Sequence, residues 1–224
     1  MKVSVIIPVY NEEKTIEKII KRVEKLPFKK EIIVVNDGST NGTKEILKEL
    51  NPKKVRVFSH RKNMGKGAAV RTGLKKATGE IIVIQDADLE YSPEDLPKLI
   101  KPILKDKADV VYGSRFMTVK HHPSLLYYGN RFLTFLTQLL FMKKITDMET
   151  CYKVFRKKVI KGIRIKSDHF DFEPEITAKI FKKDVRFLEL PISYHGRTYE
   201  EGKKLTWKDG LEAFFTLLKY RFNQ

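Results

Sequence analysis

Two aspartates one residue apart, Asp86 and Asp88, follow an apolar stretch at 80–84. Neighbouring carboxylates repel each other unless a cation lies between them. Hard divalent ions such as Mg²⁺ or Mn²⁺ are usually held by one or two carboxylates together with substrate phosphate oxygens. The spacing therefore predicts a site for a metal-bound diphosphate. An acidic turn that only caps the next helix is the alternative, but Ser92 is expected to supply that cap.

Three other segments combine polar side chains with small residues that let a ligand approach the backbone. They are 8–12, 36–39 and 60–67. The carboxylate of Asp37 could accept hydrogen bonds from a nucleobase or a ribose, and Gly38 would let the backbone come close. Asp-Gly-Ser is also an ordinary turn sequence. A Rossmann dinucleotide fingerprint is absent, and the order of residues in 60–67 does not match a phosphate-binding P-loop.

Four short apolar runs alternate with amphipathic helix patterns in the first half of the chain. The runs that we predict as strands are 3–9, 31–35, 55–58 and 80–84. Strands that are apolar on both faces are satisfied in a parallel sheet that helices cover on both sides. Residues 1–115 are therefore predicted to form a doubly wound α/β unit. Ligands bind beyond the carboxyl ends of such strands, so the polar segments should meet at one edge.

The second half of the chain has a different rhythm, which we interpret as completing the same sheet and enclosing its active edge. The predicted elements are a helix at 125–142, a strand at 152–155, a helix at 173–181, a strand at 185–190 and a last helix that begins with a capping box at 206–209. No linker divides the chain, so we expect a single domain at 1–224.

The chain has 224 residues, and 45 Lys and Arg against 28 Asp and Glu give it a formal net charge of +17. The excess is spread over both halves, so it fits a solvated lysine-rich surface as well as a phosphorylated, lipid or nucleic-acid partner. No apolar stretch reaches the ~20 residues that span a bilayer, and the start of the chain does not look like a secretory signal. With a single cysteine, Cys151, no disulfide is expected. These features favour a cytoplasmic protein.

The motifs at the predicted strand ends resemble, in combination, those of family 2 glycosyltransferases, which have the GT-A fold. They read VSVIIPVYNE, IIVVNDGST, NMGKGAAVRTG, IIVIQDADLEYSPEDL and, further on, GSRF. The sequence is most similar to the polyprenyl-phosphate glycosyltransferase group typified by dolichol-phosphate mannose synthase. The resemblance implies a GT-A-type doubly wound, mostly parallel sheet flanked by helices. Residues 1–115 would be the nucleotide-sugar-binding half, and 116–224 the acceptor-binding half.

The resemblance also implies roles for individual residues. The nucleotide would be bound by Pro8, Tyr10, Glu12, Asp37, Lys66, Asp86 and Ala87. The Mg²⁺ or Mn²⁺ ion would be held by Asp86, Asp88 and Glu90. The acceptor would be bound by Arg115, Arg131, Arg197 and Lys204. Asp88, Arg115 and Arg197 are also expected to take part in catalysis.

Three departures from the family pattern bear on these roles. Glu90 stands where the family often has glutamine. Where the family commonly has an arginine that binds the lipid phosphate, this chain has Tyr127 and Tyr128, so either Arg131 supplies the charge from a shifted position or the acceptor differs. The family's arginine followed by Gly-Ser-Lys is represented by Arg197 and then by 202–204, where a lysine replaces the serine.

These features favour metal-dependent, inverting transfer of a sugar from GDP-mannose or a UDP-hexose to a polyprenyl or dolichyl phosphate. A cation on Asp86 and Asp88 would stabilise the charge that develops on the departing diphosphate. A phosphate acceptor is already an oxyanion near neutral pH. Arg115 and Arg197 would then need only to orient it, which suits the planar guanidinium group.

A sugar hydroxyl of a cell-surface polysaccharide or glycan is the alternative acceptor, and it would require a general base. Asp147 and Glu149 are the candidates, with Glu173 and Glu175 behind them. These four acids are equally understandable as polar residues that flank a strand and a helix. We expect Asp147 to lie at the acceptor site, as a catalytic residue, with either acceptor.

Two further classes fit the sequence less well. A nucleotidyltransferase would be expected to have a glycine-rich phosphate loop after its first strand, and a nucleic-acid-binding protein has no use for paired aspartates. The helix at 125–142 combines aromatic residues with Arg131, Lys143 and Lys144. It could lie against an anionic membrane or a membrane protein, or it could be an ordinary buried helix.

Overall fold

The computed structural model describes residues 1–117, 125–197 and 206–223. Its centre is a seven-stranded sheet with the strand order β3-β2-β1-β4-β6-β5-β7. The strands are β1 (Val3–Val9), β2 (Lys30–Asn36), β3 (Val55–Ser59), β4 (Ile81–Ile84), β5 (Val110–Ser114), β6 (Lys153–Arg156) and β7 (Phe187–Pro191). A mostly parallel sheet in a single α/β domain confirms the predicted fold class.

Helices alternate with the strands and flank the sheet. They are α1 (Ile16–Glu24), α2 (Thr43–Lys48), α3 (Lys66–Lys76), α4 (Leu96–Leu104), α5 (Leu125–Phe141), α6 (Lys157–Ile160), α7 (Phe172–Phe181) and α8 (Trp207–Phe222). In α1 the buried residues are Ile16, Ile19, Ile20 and Val23, the spacing of one helix face. β1 and β4 are buried along their whole length, as strands covered on both sides must be. The apolar periodicity thus accounts for the layered core.

The direction of β6 was not apparent from the sequence. It pairs antiparallel with both β4 and β5, whereas the other described strand pairs are parallel. The beginning of β6 therefore lies at the edge where β1, β2 and β4 end. The side chains that β6 brings to this edge therefore come from the segment before the strand. At β1, β2 and β4 they come from the segment after the strand. β5 was not distinguished as a separate strand either.

The start of α3 packs closely against the segment 167–169. Gly65 has a φ of 97°, and a Cβ atom there would lie 2.2 Å from the backbone oxygen of Asp168. A Cβ atom on Gly67 would lie 2.4 Å from the backbone oxygen of Ser167. Only glycine fits both positions without displacing this backbone. The contact fixes Lys66, which lies between the two glycines.

Of the two predicted helix N-caps, the one at Thr206 is observed and the one at Ser92 is not. Thr206 and Asp209 form the predicted capping box at the start of α8. Ser92 instead precedes a 3₁₀ turn at Pro93–Asp95, and its hydroxyl accepts a hydrogen bond from Arg22. Neither Asp86 nor Asp88 takes over the cap, because the N-cap position of α4 is Asp95. The acidic turn after β4 is therefore not explained by helix capping.

Candidate active site

A cavity of about 380 Å³ opens where β1, β2 and β4 end. Its walls also include the start of α3, the segment before β6, the start of α7 and the segment after β7. All seven residues predicted to bind the nucleotide line it: Pro8, Tyr10, Glu12, Asp37, Lys66, Asp86 and Ala87. Parallel strands that end together explain why residues so far apart in sequence share one cavity. Their individual roles stay predictions.

Asp37 lines the cavity, but its carboxylate is engaged by the protein itself. The Oδ2 atom accepts hydrogen bonds from the backbone nitrogen of Gly65 at 2.7 Å and from the side-chain nitrogen of Asn63 at 3.0 Å. The Oδ1 atom accepts one from the backbone nitrogen of Met64 at 3.0 Å and lies 2.6 Å from His60 Nδ1. Asp37 therefore shapes the loop before α3, and its predicted contact with a base or ribose stays a prediction.

Lys66 bridges two acidic walls of the cavity. Its Nζ atom lies 2.9 Å from Asp86 Oδ1 and 3.1 Å from Glu173 Oε1. Burial by itself would lower the pKa of Lys66, but the two carboxylates outweigh burial and hold the pKa well above its ordinary value. Lys66 is therefore a fixed positive charge beside the first of the paired aspartates.

Arg197 plays the corresponding part for the second aspartate. Its guanidinium group lies 3.0 Å from Asp88 Oδ2, 3.1 Å from Glu12 Oε2 and 3.4 Å from Glu90 Oε1. These carboxylates come from the ends of β1 and β4, so one cation ties three segments together. Burial, followed by the charges of Asp86 and Glu90, raises the pKa of Asp88 to about 7.

Glu90 differs from the two aspartates in how its oxygens are used. Its Oε2 atom accepts a hydrogen bond from the hydroxyl of Tyr194 at 2.8 Å, and its Oε1 atom accepts one from the backbone nitrogen of Arg197 at 3.1 Å. This carboxylate anchors the segment after β7. The geometry thus gives Glu90 a structural task, and its predicted metal ligation stays a prediction.

The donor set fits a hard divalent ion that is completed by its ligand. Asp86 and Asp88 both line the cavity and crowd negative charge at the end of β4. Across 1–117, 125–197 and 206–223, no three His, Cys, Asp or Glu side chains are grouped so that they could hold a metal by themselves. An ion would therefore be held by Asp86 and Asp88 together with phosphate oxygens, the arrangement that Mg²⁺ commonly adopts.

Arg115 and Asp147 form a buried ion pair. Two guanidinium nitrogens of Arg115 donate to the two carboxylate oxygens of Asp147, each at 2.7 Å. The backbone nitrogen of Arg115 adds a third bond to Asp147 at 2.9 Å. Arg115 lines the cavity, but Asp147 is fully buried behind it and is not among the lining residues. The expected contact of Asp147 with an acceptor is therefore not supported, and Asp147 positions Arg115.

The structure places neither of the other two predicted acceptor residues, Arg131 and Lys204, in the described lining of this cavity. Arg131 is exposed on α5, with its guanidinium carbon 5.3 Å from the centre of the Phe116 ring. It is absent from the described cavity lining. Lys204 lies outside the residues that the structure describes.

Two acids that the sequence offered only as alternative bases, Glu149 and Glu173, do line the cavity. The Nζ atom of Lys153, a fully buried lysine, donates to Glu173 and to two backbone oxygens, of Met148 and Thr150. Burial and then the charge of Glu173 raise the pKa of Glu149 to about 7. Glu175, by contrast, accepts hydrogen bonds from the backbone nitrogens of 166 and 167, and it does not line the described cavity.

Apart from Tyr10, the aromatic residues of the lining were missed by the sequence interpretation. They are Tyr91, His169, Phe170 and Tyr194. The rings of Tyr91 and Tyr194 lie 5.3 Å apart at the point where their backbones form an isolated antiparallel bridge. No local sequence pattern marks Tyr91 and Tyr194, because the bridge joins segments about a hundred positions apart. They enclose the cavity between β4 and the segment after β7.

The fold and the paired aspartates at the end of β4 define a glycosyltransferase of the GT-A class. Glucosyl-3-phosphoglycerate synthase from Mycobacterium tuberculosis, solved with Mn²⁺, UDP and glucosyl-3-phosphoglycerate, superposes with a TM-score of 0.75. The two sequences are 20% identical, and the match covers 98% of this chain and 79% of the other. Residues 4–164 match the sequence model of glycosyl transferase family 2, and the chain belongs to this family.

Three relatives match this chain over more than nine-tenths of its length, and two of them have names that state a function. A UDP-N-acetylglucosamine–dolichyl-phosphate N-acetylglucosaminyltransferase of Methanococcus voltae is 30% identical over 98% of this chain and 96% of its own. A dolichol-phosphate mannosyltransferase of Pyrococcus furiosus is 34% identical over 91% of this chain but only 59% of its own length. An uncharacterised protein of Methanocaldococcus jannaschii is 32% identical over 96% of this chain and 90% of its own. The resemblance to polyprenyl-phosphate glycosyltransferases is thereby confirmed.

Proposed function

We propose that this glycosyltransferase is metal-dependent and inverting, and that it moves a sugar from GDP-mannose or a UDP-hexose to a polyprenyl or dolichyl phosphate. The observation that carries the proposal is the cavity itself. Its lining combines Asp86 and Asp88 with three cationic side chains, those of Lys66, Arg115 and Arg197. The names of two relatives, which specify dolichyl phosphate as acceptor, support the acceptor class.

The reaction exchanges one bond at the anomeric carbon for another. An oxygen of the acceptor phosphate forms a bond to this carbon from the face opposite the diphosphate, and the configuration inverts. The bond between the anomeric carbon and the diphosphate oxygen breaks, and its electron pair leaves with the diphosphate. When bound, the divalent ion supplies positive charge at the diphosphate oxygens, where negative charge grows.

The residues of this chain prepare both partners for that exchange. Asp86 and Asp88 provide the carboxylates for the ion. Lys66 adds a positive charge in the cavity wall, in contact with Asp86. The planar guanidinium of Arg115, held in place by Asp147, can orient the acceptor phosphate. The acceptor is deprotonated before it binds, so no side chain needs to remove a proton. The buried position of Asp147 does not favour the sugar-hydroxyl alternative.

Donor binding in the presence and absence of Mn²⁺ tests the proposal. Calorimetric titration of GDP-mannose and UDP-glucose should show binding that depends on Mn²⁺ or Mg²⁺ and is lost in Asp88→Asn. Asp184→Asn removes an exposed aspartate and should behave as the wild type. Transfer assays with polyprenyl phosphate and with free sugars then identify the acceptor. Equal donor affinity in excess chelator would refute the metal dependence, and transfer only to sugars would refute the acceptor.

The surface formed by α5 and α8 supports a location close to a lipid acceptor. We define the α5–α8 face by exposed apolar residues at helical spacing: Tyr128, Phe132, Phe135 and Leu139 on α5, and Trp207, Leu211 and Phe215 on α8. The helices pack together, and Phe132 stacks on Phe214 with ring centres 6.4 Å apart. Arg131, Lys143 and Lys208 are exposed on or beside these helices.

Such a surface suits the interface of an anionic membrane. Aromatic and aliphatic side chains would enter the boundary between headgroups and acyl chains, while basic residues meet acidic headgroups. In the described part of the chain, none of the helices combines the length and apolar character needed to traverse a bilayer. Contact through the α5–α8 face is thus proposed as peripheral contact.

A further inference from the structure

Glu149 is an acid in the cavity wall whose hydrogen-bonding capacity is unused. Its Oε1 atom is buried and has no hydrogen-bond partner among the described residues. Glu149 lines the cavity, so a bound molecule could reach the carboxylate. Burying a carboxylate without donors is costly, and such groups in folded proteins usually have a partner. The unused oxygen therefore points to a ligand that donates hydrogen bonds.

Hydrogen bonds from Lys153 hold the backbone on both sides of Glu149. The fully buried ammonium group of Lys153 donates to the backbone oxygens on either side of it, those of Met148 (3.1 Å) and Thr150. Lys153 also forms an ion pair with Glu173. The backbone that carries Glu149 is thus held in place, which reduces the freedom that remains to be lost when a ligand binds.

The charges around Glu149 favour a neutral ligand over an acidic one. Three carboxylates line this end of the cavity, those of Asp86, Glu149 and Glu173. Two ammonium groups, of Lys66 and Lys153, contact this acidic cluster. The cluster keeps a net negative charge when all its members are ionised. A ligand carboxylate placed here would meet like charge in a site shielded from water.

The strand order shows which part of a nucleotide sugar comes to Glu149. The predicted base and ribose residues lie at the ends of β1 and β2, and the paired aspartates lie at the end of the neighbouring strand β4. The next strand is β6, which Glu149 precedes, and the strand after it is β5, which leads to Arg115. A donor laid along this edge has its base at β2 and its diphosphate at β4. Its sugar then falls at β6, in front of Arg115.

We propose that Glu149 determines specificity in the donor-sugar subsite: its carboxylate accepts hydrogen bonds from hydroxyl groups of a neutral hexose, and the acidic cluster rejects a uronic acid. The inference rests on the proposed function, because it requires a nucleotide-sugar donor. Burial, followed by the charge of Glu173, raises the pKa of Glu149, as expected for a carboxylate that has an unpartnered oxygen.

Paired donors that differ only at the sugar test this role. We would titrate UDP, UDP-glucose and UDP-glucuronate into the wild type, Glu149→Gln and Glu45→Gln, with Mn²⁺ present. GDP, GDP-mannose and GDP-mannuronate form the equivalent set. Glu45 is exposed on α2, away from the cavity, and provides the matched control. The nucleoside diphosphate alone reports whether each variant is folded.

The wild type should bind the neutral donor roughly 10- to 100-fold more tightly than the uronate, the range expected for hydrogen bonds to a charged group. Glu149→Gln should lose most of this preference, with unchanged affinity for the nucleoside diphosphate and a raised KM for the donor. Glu45→Gln should match the wild type. If Glu149→Gln does not fold, Glu149→Asp, which shortens the reach of the carboxylate, should show the same loss.

Three results would overturn the inference while leaving the proposed function intact. They are equal binding of neutral and uronate donors by the wild type, an unchanged preference in Glu149→Gln, and a loss of turnover in Glu149→Gln with unchanged donor affinity. The last result would assign Glu149 to the chemical step in place of donor recognition. A wild type that binds neither nucleoside diphosphate would refute the proposed function itself, and the sugar subsite with it.

Discussion

At the scale of single residues, arginines organise the cavity through the acids they contact. Arg197 joins carboxylates from the ends of two strands, and Arg115 is held by Asp147 through three hydrogen bonds. Guanidinium groups suit this work because several donors lie in one plane and the charge persists at all relevant pH values. The same geometry that could orient a phosphate therefore also keeps the walls of the cavity in place.

Replacement of Asp147 by Asn should destabilise the protein. The substitution leaves the buried guanidinium of Arg115 without its counter-charge, and removing one partner of a buried ion pair costs about 3 kcal/mol or more. The free energy of unfolding in urea measures the effect. Asp184→Asn, at an exposed position, should change stability by less than about 0.5 kcal/mol. An Asp147→Asn protein as stable as the wild type would show that the pair is unimportant to the fold.

The sequence could predict where the candidate site lies but not which way each acid points. Strand ends are visible as transitions from apolar to polar residues, so the seven predicted nucleotide residues were placed in one cavity. The direction of Asp37 depends on backbone nitrogens of Met64 and Gly65, which are presented by a loop with a positive φ at Gly65. Long-range hydrogen bonds of this kind leave no periodic signal in the sequence.

At the scale of elements, the opposite edge of the sheet is held by Glu31 at the start of β2. Its carboxylate accepts hydrogen bonds from the hydroxyl of Ser4 at 2.5 Å and from the backbone and hydroxyl of Thr78, and it pairs with Lys2 and Arg56. Burial would raise the pKa of Glu31, but the hydrogen bonds outweigh it and lower the pKa from 4.5 to about 2. The cluster ties β1 and β2 to the segment after α3.

The Glu31 cluster should make stability sensitive to acid. Because the pKa is lowered in the folded state, its stabilising effect is present above pH 4.5 and is lost as the pH falls toward 2. Near neutral pH, Glu31→Gln should be less stable than the wild type by on the order of 2 kcal/mol. Urea unfolding at several pH values should show this difference shrinking below pH 4.5. A difference independent of pH would contradict the assignment, and Glu45→Gln is the control.

The α5–α8 face should bind to anionic vesicles. A double variant, Phe135→Ser with Phe215→Ser, removes two exposed rings and should weaken binding at least about tenfold, since each ring contributes apolar area. Flotation with vesicles of phosphatidylcholine and phosphatidylglycerol measures the partition. Leu104→Ser alters an exposed apolar residue of α4 and should leave binding unchanged. Equal flotation of the double variant and the wild type would exclude this face as the contact.

Most helices and strands could be predicted from apolar periodicity, but the direction of β6 could not. A short apolar run looks the same in either direction, and the partner strands β4 and β5 come from an earlier part of the chain. The exposed stripe of α5 was recognised as aromatic, yet whether it is covered depends on the packing of α8. These features are decided by tertiary contacts that one sequence does not display.

At the scale of the whole molecule, both halves of the chain contribute strands to one sheet. The net charge of +17 is likewise a property of the chain as a whole. The sequence indicated a single domain because no linker divides it. The assignment of nucleotide binding to 1–115 and of acceptor binding to 116–224 stays a prediction, and residues of both parts line the cavity.

The positive charge should make vesicle binding depend on salt. Raising NaCl from about 0.05 M to about 0.5 M shortens the screening length severalfold and should weaken binding to anionic vesicles. Binding to pure phosphatidylcholine should be weaker and nearly independent of salt, because only the apolar contribution remains. Flotation over this salt range provides the measurement. Identical binding to both vesicle types at low salt would argue against an electrostatic contribution.

The reversed direction of β6 has a practical consequence. The segment before β6 lies at the edge of the sheet that carries the cavity, and β6 runs from there toward the opposite edge. The turn after α6 therefore lies near that opposite edge. Lys161 in this turn is exposed and, unlike its neighbour Gly162, does not have a positive φ. A fluorophore or affinity tag attached at Lys161 would therefore report on the protein without obstructing entry of its substrates.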